Sequence, residues 1–346
     1  MKIKFKNSDY HLKKRKKKSK STLKSICFLF LIMIAISIIS IYIIFTFKKV
    51  LYFKSTKTFT RQQSFEKDHY FCCFCVMGRM ENKYTRELIT YYRSIGVDKF
   101  VIADNNAPGT EKFSDVIPDY ISNKLVDLID IIGKSYDYSQ YYEIMYEKYQ
   151  NRCDWLAFFD FDEYLVMHNE EGKNITMKEY LSNETFGKCE AIQINWLLAG
   201  DNDLVYYDNR PSIERFTKPS FNHPANRFVK ILARGNLNKA VFTAYQSCHM
   251  TNRDIVTCNS AGKIMEVHSD TLTPELKYAY LLHFVTRTAE EYVQKVKRGY
   301  AGNRNMPYNE RVHTFFTVNK VTEEKVKVFE KHFNRTFQAY HLRNNN

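Results

Sequence analysis

From Ser25 to Phe47 the chain runs 23 residues without a charge, a glycine or a proline. As a helix rising ~1.5 Å per residue, this run is roughly 34 Å long, enough to cross a hydrocarbon core about 30 Å thick. A cleaved leader would have a shorter apolar core, about 7–15 residues, followed by a small-residue cleavage site. Here the run exits into Phe47-Lys48-Lys49-Val50, so an uncleaved signal anchor is expected rather than a buried core helix. Residues 1–24 carry eleven Lys/Arg and one acid, Asp9, whereas residues 48–67 carry six Lys/Arg. The excess of positive charge before the run puts the amino terminus in the cytosol and the large body across the membrane. The expected order is a basic cytosolic tail (1–24), a transmembrane anchor (25–47), a stem (48–68), a folded body (69–320), and a C-terminal helix with a polar tail (321–346).

The net charge of +14 would suggest a nucleic-acid partner if it were spread over the body. Ten of those charges sit in residues 1–24, and the other 322 residues carry only +4. The body is close to neutral, and nucleic acid is not an expected partner. Three N-x-Thr acceptor sequences, at Asn174, Asn183 and Asn334, agree with a body facing a secretory lumen, the Golgi or a similar compartment. Eight cysteines are too few for a disulfide-framework miniprotein, and seven of them follow the apolar run. An odd number leaves at least one unpaired within the chain. Cys72, Cys73 and Cys75 lie in an apolar run and read as small core residues, with no metal cluster around them.

Short apolar runs alternate with amphipathic stretches through the first half of the body. Strands are expected at Tyr70–Met77, Lys99–Ala103, Leu125–Ile132 and Trp155–Phe161. Helices are expected at Asn82–Ser94, over 111–122 and at Tyr138–Asn151. On the last of these, Tyr142, Met145, Tyr146 and Tyr149 share one face, read as core packing rather than a sugar platform. Strand and helix in alternation mean parallel βαβ units and an α/β sheet. The second half is less regular. It offers strands at Ala191–Leu198, Phe228–Ala233 and Ala240–Tyr245, a helix over Thr288–Gly299 and helix again from 320.

The most informative stretch is Trp155-Leu-Ala-Phe-Phe-Asp160-Phe-Asp162-Glu163. An apolar strand ends in two aspartates at i and i+2, which period-2 geometry would set on one side. The carboxyl end of a parallel strand is where α/β sheets bind ligands. Two close carboxylates repel unless a cation joins them, and a hard divalent ion that does so also binds phosphate oxygens. A metal bridging protein to a diphosphate leaving group is the chemistry this suits. A metal-dependent phosphodiesterase would need further His and Asp in tight motifs, and residues 48–346 have no H-x-H or D-x-H pair.

The surrounding motifs resemble glycosyltransferase family 92 and its family 2-like relatives. Arg79-Met80-Glu81, Tyr84 and Glu87, Ile95-Gly96-Val97 and Asp104-Asn105 resemble the family's opening motif, with Met80 where the family has Asn. The WLAFFDFDEYL strand, Asn195-Trp196 through Gly200-Asp201, Glu214-Arg215-Phe216 and His283-Phe284 through Arg298-Gly299 resemble its later motifs, in the same order. The resemblance implies a GT-A (Rossmann-like) α/β fold and transfer of a hexose, galactose as a first guess, from a nucleotide sugar such as a UDP-hexose to a glycan acceptor. It implies nucleotide-sugar contacts from Arg79, Glu81, Asp104, Asn105, Asp160 and Arg298, the last acting with Lys295. It implies Mn²⁺ or Mg²⁺ held by Asp160, Asp162 and His283, with His268 competing for the third place. The implied mechanism is inverting, with Asp201 as the base that deprotonates the acceptor and Glu214 and Asp203 as runners-up. The alternative is a membrane-anchored carbohydrate-binding or adhesion protein on an inactive transferase body.

Overall fold

The computed structural model describes residues 68–132, 138–242, 254–266, 271, 273–299 and 307–341. The tail, the apolar run, nearly all of the stem and His268 lie outside these. Among the described residues no helix is long and apolar enough to cross a membrane.

Nine strands and five helices of ten or more residues build the described body. The strands are β1 (Tyr70–Gly78), β2 (Lys99–Asp104), β3 (Val126–Asp130), β4 (Cys153–Phe158), β5 (Glu163–Met167), β6 (Ala191–Leu198), β7 (Val229–Arg234), β8 (Thr257–Asn259) and β9 (Ala279–His283). The long helices are α1 (Asn82–Ser94), α2 (Tyr138–Tyr149), α3 (Ala289–Arg298), α4 (Tyr308–Val318) and α5 (Glu323–Phe333). The strand order is β3-β2-β1-β4-β7-β6-β9-β5, with β8 beside β6. The first four strands are parallel, as the βαβ pattern requires, and β7 then enters antiparallel between β4 and β6.

Alternation along β1 shows how the sheet is covered. Cys72, Phe74 and Val76 face the cluster that holds Leu88, Ile89 and Tyr92 of α1. Cys73 and Cys75 face the cluster that holds Tyr142, Met145, Tyr146 and Tyr149 of α2. The aromatic stripe on α2 is therefore core, as read from its spacing. A third cluster joins α3, α4 and α5 through Tyr292, Val296, Phe315 and Phe329. Thr288 caps α3 by accepting from the Glu291 amide, while the Glu291 carboxylate accepts from the Thr288 amide and hydroxyl. Gly299, at φ 80°, ends it.

Several expectations need correcting. The helix expected over 111–122 is two short turns, Phe113–Val116 and Pro118–Ser122, broken where Pro118 cannot continue the ladder. The strand expected to reach Phe161 stops at Phe158. Phe159 and Phe161 remain buried, but as anchors of a turn rather than as strand residues. Of the strand expected at Ala240–Tyr245 only residues 240–242 are described, with a single β-bridge at Phe242; the rest lies outside the described residues. Cys73 is not merely a core residue. It is bonded to Cys153, and Cys189 to Cys258, leaving Cys72 and Cys75 free and buried.

The chain leaves the β1–β4 sheet at Phe158 and enters a different pairing at Glu163. There β5 runs antiparallel to β9, which pairs in turn with the last residues of β6. The segment 159–162 is therefore the crossing between two parts of one sheet. It places both aspartates at a change of strand order, where α/β sheets form clefts.

Candidate active site

The turn 159–162 is pinned from below by its phenylalanines. Phe161 stacks on Phe113 with ring centroids 5.3 Å apart. Gly78, at the end of β1, lies so close that a Cβ there would sit 2.4 Å from the Phe161 ring and 2.5 Å from Phe113. Only a residue without a side chain permits that approach. The Glu163 carboxylate then closes the turn, accepting from the Asp160 amide at 2.9 Å.

The two aspartates do not share one face, because a turn and not a strand carries them. Asp160 Oδ2 accepts from Lys230 Nζ at 2.6 Å and its Oδ1 from the Tyr142 hydroxyl at 3.2 Å. Asp162 Oδ2 accepts from Lys295 Nζ at 2.6 Å, and its Oδ1 lies 3.5 Å from His283 Nε2. His283 is brought there by register: β5 and β9 place it opposite Glu163. Both aspartates still act electrostatically on Glu163 and on His283.

Charge states follow from burial and partners. Burial alone would raise the Asp162 carboxyl, but Lys295 above all holds it well below the usual carboxylate range. Burial pushes Glu163 well above that range against the pull of Lys230. Burial also lowers His283, against the pull of Asp162, which favours the neutral ring that can ligate a cation. The Nδ1 of His283 is buried without a hydrogen-bond partner. A neutral imidazole and an ionised carboxylate facing each other are a donor pair suited to Mn²⁺ or Mg²⁺. Among the described residues no three His, Cys, Asp or Glu side chains converge as a ready cage. Two of the three expected ligands come together, and Asp160 is held by Lys230 instead.

Beside Asp162 opens a cavity lined by Glu81, Lys83, Arg287, Gln294, Lys295 and Arg298, among others. Arg298 pairs with Glu81 and also donates to the Arg79 carbonyl at 2.9 Å. Arg287 donates to Glu81 Oε2 at 3.1 Å and to the Phe161 carbonyl at 3.2 Å, with its guanidinium over the Tyr84 ring. Of the expected nucleotide contacts, Arg79, Glu81 and Arg298 thus meet at one place. Asp104 is spent on its own loop, accepting from the amides of Asn106 at 2.8 Å and Phe113 at 3.3 Å. Asn105 donates its amide to Gly78. Asn106, passed over in the sequence, stitches the β1 and β2 loops together through Met80 and Asn82.

The expected base falls elsewhere. Asp201 lies three residues beyond Leu198, the strand position paired with His283. Its carboxylate meets Lys325 Nζ at 2.7 Å and the Asp203 amide at 2.9 Å, and Asn319 accepts from its amide at 2.7 Å. A carboxylate bound to a fully buried lysine is committed to the fold, not to an incoming hydroxyl. Glu214 is exposed on the short helix Ser212–Arg215, and Asp203 is exposed 3.9 Å from Lys325. No contact in the described residues brings either to the acidic turn.

Sequence reasoning missed Lys230 and gave Glu163 and Arg287 no role. Lys230 left a signal: one lysine inside the apolar run Phe228-Val-Lys-Ile-Leu-Ala. A cation buried in a central strand needs a carboxylate partner.

Among solved structures, the chain is similar to S. aureus TarS. The structure of TarS residues 1–349 aligns at 13% identity over 78% of this chain and 72% of that one, with a TM-score of 0.34. Its complex with UDP-GlcNAc aligns at 12% identity over 78% and 73%, with a TM-score of 0.36. No curated protein sequence matches the chain significantly. The family model for glycosyltransferase family 92 matches residues 68–337, from just before β1 to beyond α5, a span that takes in the whole sheet and every group around the acidic turn, and the chain belongs to that family.

Proposed function

We propose that this glycosyltransferase moves a hexose from a nucleotide sugar to a glycan acceptor with inversion. A UDP-hexose, UDP-galactose first, is the donor to test. The observation that carries the reading is the acidic turn beside a cation-rich cavity. Lys295 and Arg298 stand three residues apart on α3, so they share a face, and both line the cavity next to Asp162. Both are partly exposed there, at 19% and 16% of the side chain. Each can exchange its carboxylate partner for an oxygen of the departing diphosphate.

Asp162 and His283 would hold Mn²⁺ or Mg²⁺, which when bound neutralises charge on the diphosphate leaving group. The ring of His283 is kept neutral for this by burial, and Asp162 is kept ionised by Lys295. Arg287, tied to both Glu81 and the Phe161 carbonyl, fixes the distance between the turn and the start of α1. Asp160, with a side chain 36% exposed against 8% for Asp162, faces outward and is the carboxylate offered to the donor.

We further propose a single-pass type II protein with its body in the lumen of the Golgi or a related compartment. The two disulfides support an oxidising surrounding. Asn174, Asn183 and Asn334 are all exposed, as glycan acceptors must be.

The test is a screen of the full-length, detergent-solubilised chain against nucleotide sugars, reading released nucleoside diphosphate with Mn²⁺ and with EDTA. Release with one donor, lost with EDTA and in Asp162→Asn, is the expected result. No release with any donor would overturn the donor assignment. Release indifferent to EDTA would overturn the metal.

A further inference from the structure

The start of α1 breaks a local rule. The first amides of a helix have no partner within it and carry the positive end of its dipole, so they favour an acidic side chain or another anion. The α1 helix has no acidic residue in its first turn, and no side chain caps it. Its N-cap residue, Glu81, turns its carboxylate to Arg287 and Arg298 instead. The second residue of the helix is Lys83, a cation where the dipole already supplies positive charge. Among the described residues no carboxylate pairs with Lys83. Its ammonium lies over two aromatic faces, 4.2 Å from the Tyr207 centroid and 4.9 Å from that of Tyr84.

A second observation at the same place also points to an anion. Arg287, whose side chain is 6% exposed, lines the cavity with Lys83. Its Nε is buried with no hydrogen-bond partner, which is rare for a charged donor. The carboxylates nearby are already committed. Glu81 serves Arg287 and Arg298, Glu291 is held by Arg215, and Asp162 takes Lys295. The wall of the cavity therefore carries more positive charge than its own carboxylates balance.

We propose that the amino end of α1, with Lys83 and Arg287, is an anion subsite that takes oxygens of the donor's diphosphate, and that Lys83 is its principal side-chain contact. The idea rests on the nucleotide-sugar reading above. It adds to Lys295 and Arg298 a cation that gives up no carboxylate in order to bind. An anion held there meets the dipole of α1 and its first amides as well as the ammonium. A lysine that opposes its own helix is a local conflict of the kind that binding sites carry.

The test is isothermal titration calorimetry of the full-length, detergent-solubilised chain with UDP and GDP, and with uridine and guanosine, in Mg²⁺. The native protein should bind one diphosphate more tightly than its nucleoside. Lys83→Met should weaken that diphosphate by about tenfold, the worth of one charge-assisted hydrogen bond, and leave the nucleoside unchanged. Lys83→Arg, which keeps the charge, should stay close to native. Without nucleotide, Lys83→Met should melt no lower than the native protein, because the cation it removes opposes the helix dipole. Unchanged diphosphate affinity in Lys83→Met would overturn the proposal. So would a parallel loss for diphosphate and nucleoside with a lowered Tm, which would make Lys83 structural, or a native protein that binds both equally. Binding is read apart from turnover: the expected pattern without release of nucleoside diphosphate from any nucleotide sugar would remove the transfer mechanism and leave the subsite standing.

Discussion

Met80 sits at φ 56° with half its side chain exposed, at the rim of the cavity. The left-handed region costs an ordinary L-residue roughly 1–2 kcal/mol, and asparagine is among the few that tolerate it. The backbone keeps the conformation because the Met80 amide donates to Asn106 Oδ1 at 2.6 Å. This gives a physical reason for the asparagine that the family motif carries at that place. Met80→Asn is expected to raise stability by about 1 kcal/mol, visible as a higher Tm. An unchanged or lowered Tm would mean that the thioether contributes contacts outweighing the strain. Asp201 makes the opposite case. Asp201→Asn would leave the buried Lys325 with only the exposed Asp203 carboxylate, 3.9 Å away, at a cost of about 3 kcal/mol. Thermal melting should therefore fall sharply, and turnover with it. A variant that melts like the native protein but has lost turnover would restore Asp201 to the role of base.

The elements carry their own electrostatic dependence. Glu291, in the first turn of α3, takes two hydrogen bonds from Arg215 and one from Tyr84. Burial works against its charge, but Arg215 prevails and lowers its carboxyl from 4.5 to about 2. A carboxyl depressed in the folded state adds stability that is complete above about pH 4.5 and lost as pH falls toward 2, an effect of about 3 kcal/mol. Acid denaturation should thus be steep in that window and shallower in Glu291→Gln, followed by circular dichroism. The early elements were legible because their signals are local. Short continuous apolar runs mark β1 and β2, and a 3.6-residue stripe marks α1 and α2. The later ones were not. The partner of β5 is β9, more than a hundred residues on, and nothing local announces such a pairing. The end of β4 was misplaced because Trp155 through Phe161 reads as one apolar run, although its last two phenylalanines anchor a turn. Asp162 and the cations of α3 were readable as chemistry. Their true partners, Lys230 above all, belong to contacts that only the folded chain creates.

At the scale of the molecule, the two disulfides each link neighbouring strands of the sheet. Cys73–Cys153 ties β1 to the start of β4, and Cys189–Cys258 ties the approach to β6 to β8. Each closes a long loop, with sequence separations of 80 and 69. Cys153→Ala or Cys258→Ala should each lower stability by about 2–4 kcal/mol, and a reductant should reproduce the loss in the native protein. A native Tm indifferent to reductant would show that the bridges are not formed in solution. The pairing of β5 with β9 has a consequence for how the chain tolerates change in length. His283 faces Asp162 only because the strands are aligned as they are. Slipping by a single position would present Leu282 or Phe284, hydrocarbon where an imidazole is needed. A one-residue deletion within β9 should silence the enzyme while sparing its solubility, whereas the exposed bend at Glu170–Lys173 should absorb extra residues without loss. A library of random single-codon insertions and deletions, sorted for turnover, would show intolerance along this ribbon and indifference at its tip.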